Sequence, residues 1–341
     1  MNVKDSGDRN QEGVLGVLCA SQDLTQSARS VSATFVFSLF SRRRHTEAQV
    51  ARGETVAAHK EGAIVLQNAE LSSKKLAILS FHKIGEPPRG AWSTWFYIPE
   101  DTFIRQLTYL ATNGWEVIDQ SRFVKGLEDA ESLPRRSALI TFDDGYRSMR
   151  TVALPLLRRF GFPAVLFVPT NYIGGRNAFD SGSEPDEPIC DWDDLKELES
   201  EGVSIQPHGA SHRRFSDMSI EQQSAELLDS KAALEEGLGN RAEIFAFPYG
   251  DDGANPQALR KELEQAGYRA ACLYRGGPIS FPPTNPYRLP RLAMGPDTDL
   301  EAALVRGEFL PLRQPVGPVG EDGGPSGESP ELQVREALCG D

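Results

Sequence analysis

Leu139-Ile140-Thr141-Phe142-Asp143-Asp144-Gly145-Tyr146 decides how this chain is read. The run Ala138 to Phe142, apolar and partly β-branched or aromatic, predicts a buried strand. It stops at two adjacent carboxylates and a glycine, and Met149, Val152, Leu156 and Leu157 follow in a helical pattern. A strand end, an acidic pair, a glycine turn and a helix is how α/β enzymes present side chains at the carboxyl edge of a sheet. Neighbouring carboxylates repel, so the pair makes sense when one binds a cation and the other keeps a basic role. Taken alone, Asp-Asp-Gly reads as a solvated turn. Residues downstream overturn that reading.

Outward from this stretch, strands and helices alternate. Upstream, Lys75 to Phe81 is an apolar strand ending at His82, and Pro99 opens a helix with Phe103, Leu107 and Leu110 on one face. Asn113-Gly114 stops that helix and Trp115 to Ile118 is a strand. Downstream strands are expected at Phe162 to Pro169, Val203 to Gln206, Ile244 to Phe247, Tyr268 to Tyr274 and Tyr287 to Ala293. The helix of Trp192, Leu195 and Leu198, then Glu221 to Leu238 and Pro256 to Glu264, separate them. Such alternation, about seven times with short loops, favours an α/β fold whose parallel sheet of about seven strands closes into a (β/α) barrel over an open sheet. No Gly-x-Gly-x-x-Gly follows a strand and no Gly-Lys-Ser loop occurs, which disfavours nucleotide folds.

The expected organisation is a single domain over 74–305 with two disordered extensions. Residues 1–73 lack sustained periodicity apart from a short helix near Glu47 to His59, and 306–341 are rich in Pro, Gly and acid. The 341 residues carry a net charge of −13, which argues against nucleic acid or an anionic membrane as the main partner. Cys19, Cys190, Cys272 and Cys339 show no Cys-x-x-Cys spacing, so neither a disulfide framework nor a thiolate zinc site is expected. No apolar run approaches the ~20 residues of a membrane span and no signal peptide is recognisable, so the default expectation is a cytoplasmic protein.

Of only five histidines, two stand four apart at a strand exit, in Pro207-His208-Gly209-Ala210-Ser211-His212. With one aspartate they make a two-nitrogen, one-oxygen ligand set with room for water, the catalytic rather than the closed structural pattern. Such a metal lowers the pKa of its water from ~15.7 toward ~7–9, and a second aspartate can take the proton. Phe247-Pro248-Tyr249-Gly250 is a strand-end turn; it is either an ordinary turn or one that aims the Tyr249 N–H at a developing oxyanion.

Thr141-Phe142-Asp143-Asp144-Gly145, His208-x-x-x-His212 and Phe247-Pro248-Tyr249-Gly250, in this order, resemble the polysaccharide deacetylases, the NodB-like group of carbohydrate esterase family 4. The resemblance covers Lys75 to Leu300. It implies a distorted barrel and metal-dependent hydrolysis of an N- or O-acetyl group on a glycan. Carried over by position, Asp143 is the general base, Asp144, His208 and His212 are the metal ligands, and the Tyr249 N–H completes the oxyanion site. Zinc is the first metal to expect, with cobalt, nickel or iron suiting the same ligands.

Three departures from the family stand out. Gly209 replaces a hydroxyl residue. The arginine that orients the base has Ala246 in its place, with Arg291 as the substitute, or else a surface arginine at a strand end. The late histidine that serves as general acid has no counterpart after His212. His82, on the first strand, is the replacement candidate, as in the permuted poly-N-acetylglucosamine deacetylases, or else a satisfied core histidine. Trp192, Pro248 and Arg291 are the candidate substrate contacts, and Trp92, Trp95 and Tyr97 are further aromatics for stacking or for packing. The expected partner is an acetylated glycan. Two other functions stay open: a catalytically inactive glycan-binding module of this fold, and a metal-dependent amidase for a small amide, with the loop 171–188 closing over its site.

Overall fold

The computed structural model describes residues 74–306. The expected extension over 1–73 with its short helix, and the tail from 307 onward, lie outside the described residues. Eleven strands occur among those described: β1 (Lys74–Phe81), β2 (Lys83–Ile84), β3 (Tyr97–Ile98), β4 (Glu116–Val117), β5 (Arg136–Phe142), β6 (Ala164–Val168), β7 (Val203–Pro207), β8 (Ile244–Ala246), β9 (Ala270–Cys272), β10 (Ile279–Phe281) and β11 (Leu292–Ala293). None of the described helices is long and apolar enough to cross a membrane.

β1, β5, β6 and β7 lie side by side and parallel. β8 and β9 form a separate parallel pair. No ladder joins β7 to β8; instead Gln206 Oε1 accepts the N–H groups of Glu243 and Ile244 at 2.9 and 3.0 Å. On the far side Leu289 N donates to Ala271 O and Leu273 N to Leu289 O, and β11 then pairs with β1 through Leu79 and Leu292. The wall thus runs β1-β5-β6-β7-β8-β9-β11 and back to β1. The distorted barrel expected from the sequence is present, with one side-chain seam where a ladder fails.

Sharing of edges explains why several strands are shorter than the sequence pattern suggests. β4 and β6 both pair with β5, one at Ser137 and Ala138, the other at Thr141 and Phe142. The segment 287–293 changes partner midway from β9 to β1, so only its last two residues form a ladder. β10, flanked by prolines and unseen in the sequence, runs antiparallel to the first residues of β1 at the end away from the site.

Alternation along each strand separates the barrel interior from outer clusters beneath the helices. Leu76, Ile78, Leu139, Val165, Phe167, Ile244, Cys272 and Leu289 fill the barrel. Ala77, Leu79, Phe81, Ile140, Phe142, Leu166 and Ile205 face outward under the helices Glu100–Thr112, Leu154–Phe160 and Trp192–Ser200. Each fully buried large side chain contributes about 1.5–3 kcal/mol, so a one-residue register slip would be prohibitive. The inward parity continues past the last hydrophobic residues to Ser80 and His82, Thr141 and Asp143, and Arg291. That is why polar chemistry gathers at the mouth.

Candidate active site

Asp143 follows β5 on the inward face and is 2% exposed. Arg291, on the inward face just before β11, meets it with two parallel bonds, Nη1 to Oδ1 at 2.7 Å and Nη2 to Oδ2 at 2.8 Å. The guanidinium is fully buried, and its Nε donates to Leu273 O at 2.7 Å. Ser80 Oγ adds a bond to Asp143 Oδ2 at 3.2 Å. Burial alone would raise the Asp143 pKa, but Arg291 and His208 outweigh it and hold the carboxyl below its ordinary value.

Asp144 breaks the alternation. Its backbone is left-handed, φ 71°, which turns the side chain toward the histidine loop. His208 leaves β7 and anchors its Nδ1 on Ala246 O at 2.8 Å, which leaves Nε2 free to ligate. Its Nε2 lies 3.4 Å from Asp144 Oδ1, and His212 Nε2 lies 3.0 Å from the same oxygen. Asp144 Oδ1 is nonetheless a buried atom without a properly formed hydrogen bond, as is His212 Nδ1. Two imidazole nitrogens and a carboxylate oxygen, all buried and within 4.8 Å of one another, are a donor set that could hold a divalent ion. The histidine contacts hold Asp144 well below the usual carboxylate range against its burial, and burial lowers the pKa of His212. Those are the protonation states that ligation requires. His208 is pushed up, because Asp143 and Asp144 outweigh the effect of its burial.

Glu226, which gave no signal in the sequence, shapes the histidine loop from the neighbouring helix Ile220–Leu238. Its carboxylate accepts the N–H groups of Ala210 and Ser211 and the Ser211 hydroxyl. A Cβ at Gly209 (φ 73°) would lie 3.0 Å from Glu226 Oε2. The glycine that departs from the family is required by this turn.

His82 sits at the mouth with Nε2 3.9 Å from both Asp143 Oδ2 and Asp144 Oδ2. Its ring packs on Phe96 and Tyr274, Nδ1 has no partner, and burial lowers its pKa against the pull of the two aspartates. Tyr249 is also left-handed, φ 60°, and its N–H is left out of the turn's own bonds, which run from Gly250 to Phe247 and from Asp251 to Pro248. The mouth opens as a pocket of about 350 Å³. Its wall includes side chains that the sequence did not single out. Lys83, buried between the rings of Tyr97 and Tyr146, binds Glu184 at 2.6 Å, and Thr94 Oγ1 donates to the same oxygen. Tyr146 donates to Asp180, whose pKa is pushed up to about 7 by burial and by Asp144 and Glu184.

Of the three expected substrate contacts, Trp192 and Pro248 need correction, whereas Arg291 lines the pocket. Trp192 does not line the pocket: its ring packs on Gly237, where an added Cβ would lie 2.2 Å away, and it closes the contact between two outer helices. Pro248 is buried beneath the mouth beside Gly209 rather than lining it. Arg291 reaches the pocket but is spent on Asp143, in the place expected for the missing motif arginine. Of the other aromatics, Trp95 lines the pocket, Tyr97 is buried with its hydroxyl on Glu187, and Trp92 is exposed away from it.

The fold is an α/β barrel that gathers buried acids, histidines and an arginine at one mouth. Residues 130–271 match the model of the polysaccharide deacetylase family. Bacillus subtilis YxkH, named as a polysaccharide deacetylase, is 25% identical over 206 residues, 60% of this chain and 67% of the relative. The Staphylococcus epidermidis poly-β-1,6-N-acetyl-D-glucosamine N-deacetylase is 23% identical over 208 residues, 59% of this chain and 69% of the relative. The structure of the Streptococcus pyogenes deacetylase PplD with acetate matches at a TM-score of 0.57 and 22% identity, over 66% of this chain and 95% of that one, a likeness of fold. The chain thus carries, over residues 130–271, a polysaccharide deacetylase domain, the mark of hydrolases that act on carbon–nitrogen bonds of acetylated glycans.

Proposed function

We propose that this domain is a metal-dependent N-deacetylase of a glycan, with an N-acetylglucosamine polymer as its reference substrate. The observation that carries this reading is one juxtaposition: a carboxylate locked by a bidentate arginine directly beside a converging Asp-His-His donor set. The name of the Staphylococcus relative supports the N-acetyl choice.

Asp144, His208 and His212 would hold the ion, zinc first, with cobalt, nickel or iron suiting the same donors. A divalent metal bound there supplies Lewis-acid polarisation and an acidified water. Asp143, kept anionic and oriented by Arg291, takes the proton of the attacking water, a role typically worth ~10²–10⁴-fold. The Tyr249 N–H donates to the oxyanion that develops on the acyl oxygen. His82, in its imidazolium form, delivers the Nε2 proton to the sugar nitrogen as the carbon–nitrogen bond breaks and returns to neutral imidazole, so that acetate and a free amine leave.

Acetate release from N-acetylglucosamine oligomers by the wild type and by Asp143→Asn, each with metal content determined, tests this reading. Release by the wild type, lost in the variant with metal retained, is expected. Bound metal without acetate from several acetylated glycans would overturn it.

A further inference from the structure

The inference concerns the substrate's charge and rests on the deacetylase reading above. Four non-glycine residues among those described have left-handed backbones: Asp144, His212, Tyr249 and Arg275. All four line the pocket. Such conformations cost about 1–3 kcal/mol each and persist where the surrounding structure holds them, often at ligand sites. Asp144, His212 and Tyr249 have roles in the chemistry described above; Arg275 has none.

A second basic side chain lines the same pocket. The Arg214 guanidinium lies 4.2 Å over the Tyr249 ring, which fixes its plane and leaves its N–H edge available. Next to Tyr249, Gly250 packs directly on Tyr274, the neighbour of Arg275: an added Cβ there would lie 2.4 Å from Tyr274 N. Both arginines are exposed and line the pocket, and neither has a carboxylate within 4.0 Å among the described residues. The pocket's other two cations are cancelled, Lys83 by Glu184 and Arg291 by Asp143. On a chain of net charge −13, a lining whose four cations match its four acids, with Arg214 and Arg275 the two cations not ion-paired among the described residues, favours an anion at the rim.

The pocket, about 350 Å³, is at the small end of ligand sites, which run from about 300 to 1,000 Å³. It takes the acetylated sugar, and the adjoining unit of a polymer must lie along the rim. We infer that Arg214 and Arg275 recognise an anionic group, carboxylate or phosphodiester, on the unit next to the acetylated sugar, so that the preferred substrate is an acidic acetylated glycan. Guanidinium forks match both anions.

The test compares chitotetraose, a heparosan tetrasaccharide (N-acetylglucosamine alternating with glucuronate) and an N-acetylglucosamine-1-phosphate oligomer, on the metal-loaded full chain. Expected is a kcat/KM at least about tenfold higher on one acidic glycan than on chitotetraose at low salt, with the ratio shrinking as ionic strength approaches about 0.5 M. The glycan that is preferred identifies the anion. In R214Q/R275Q the ratio should fall to near one, mainly through KM, and R214K/R275K should restore part of it. Calorimetric binding of the same three glycans to metal-depleted protein should rank them alike. Equal or better use of chitotetraose, with the ratio unmoved in R214Q/R275Q, overturns the inference and leaves the deacetylase reading standing. Absence of acetate from all three overturns the deacetylase reading. Calorimetry still decides the charge preference: tighter acidic binding, lost in R214Q/R275Q, sustains it, and equal binding overturns it.

Discussion

Two buried ion pairs face the same pocket and are built in opposite ways. Arg291 meets Asp143 with two bonds, between strand ends that the barrel already holds in register, and spends its third donor on Leu273 O. Lys83 meets Glu184 with one bond, from the start of the short β2 to the loop 171–188, inside a cage of two tyrosines. A planar fork fixes the direction of a carboxylate, whereas an ammonium fixes only its distance. The first pair therefore orients the carboxylate proposed as the base; the second tethers a wall.

The largest effect should come from the first pair. Arg291→Met leaves Asp143 buried without its counter-charge, which costs about 3–5 kcal/mol of stability. It should lower kcat by about 100-fold. The double variant with Asp143→Asn should lose little more kcat than Asp143→Asn alone, because the two act as one unit. Fully additive losses would break the positioning role. Removal of metal by a chelator should abolish acetate release and Zn²⁺ or Co²⁺ should restore it, with Asp144→Asn weakening metal retention by equilibrium dialysis. Activity that survives chelation would separate the donor set from the chemistry.

The second pair should fail differently. Lys83→Met is expected to cost about 3–5 kcal/mol in urea unfolding and to raise KM with kcat within about threefold, and K83M/E184Q should recover much of that stability. A kcat loss as large as that of Arg291→Met would erase the contrast between the pairs. The smallest kinetic effect is expected at Trp192. Trp192→Ala should lower stability by about 2 kcal/mol, because it opens the contact over Gly237, and leave KM for glycan unchanged. A raised KM would return Trp192 to the substrate site.

Much of the active region was legible because strand chemistry is local. Short apolar runs ending in Asp143-Asp144 and shortly before His208 identify buried strands and the carboxyl ends at which those side chains stand. Left-handed Asp144 and Tyr249 follow acid-glycine and proline turns that can be read in order along the chain. Trp192 was misread because an aromatic at a helix start looks the same whether it meets sugar or a glycine on the next helix. Glu226 and Lys83 were unreadable, since their partners are 15 and 101 residues away.

From the sequence alone came the strand–helix alternation and the separate motifs that carry the candidate donors, each a property of neighbours within a few residues. The tertiary structure alone decided that Arg291 grips Asp143 across 148 residues, that Gln206 seals a wall without a ladder, and that Arg214 and Arg275 line one pocket. The physical reason is closure. A barrel brings its first and last strands together, and which distant side chains then meet depends on a register set by the whole core, which no local pattern encodes.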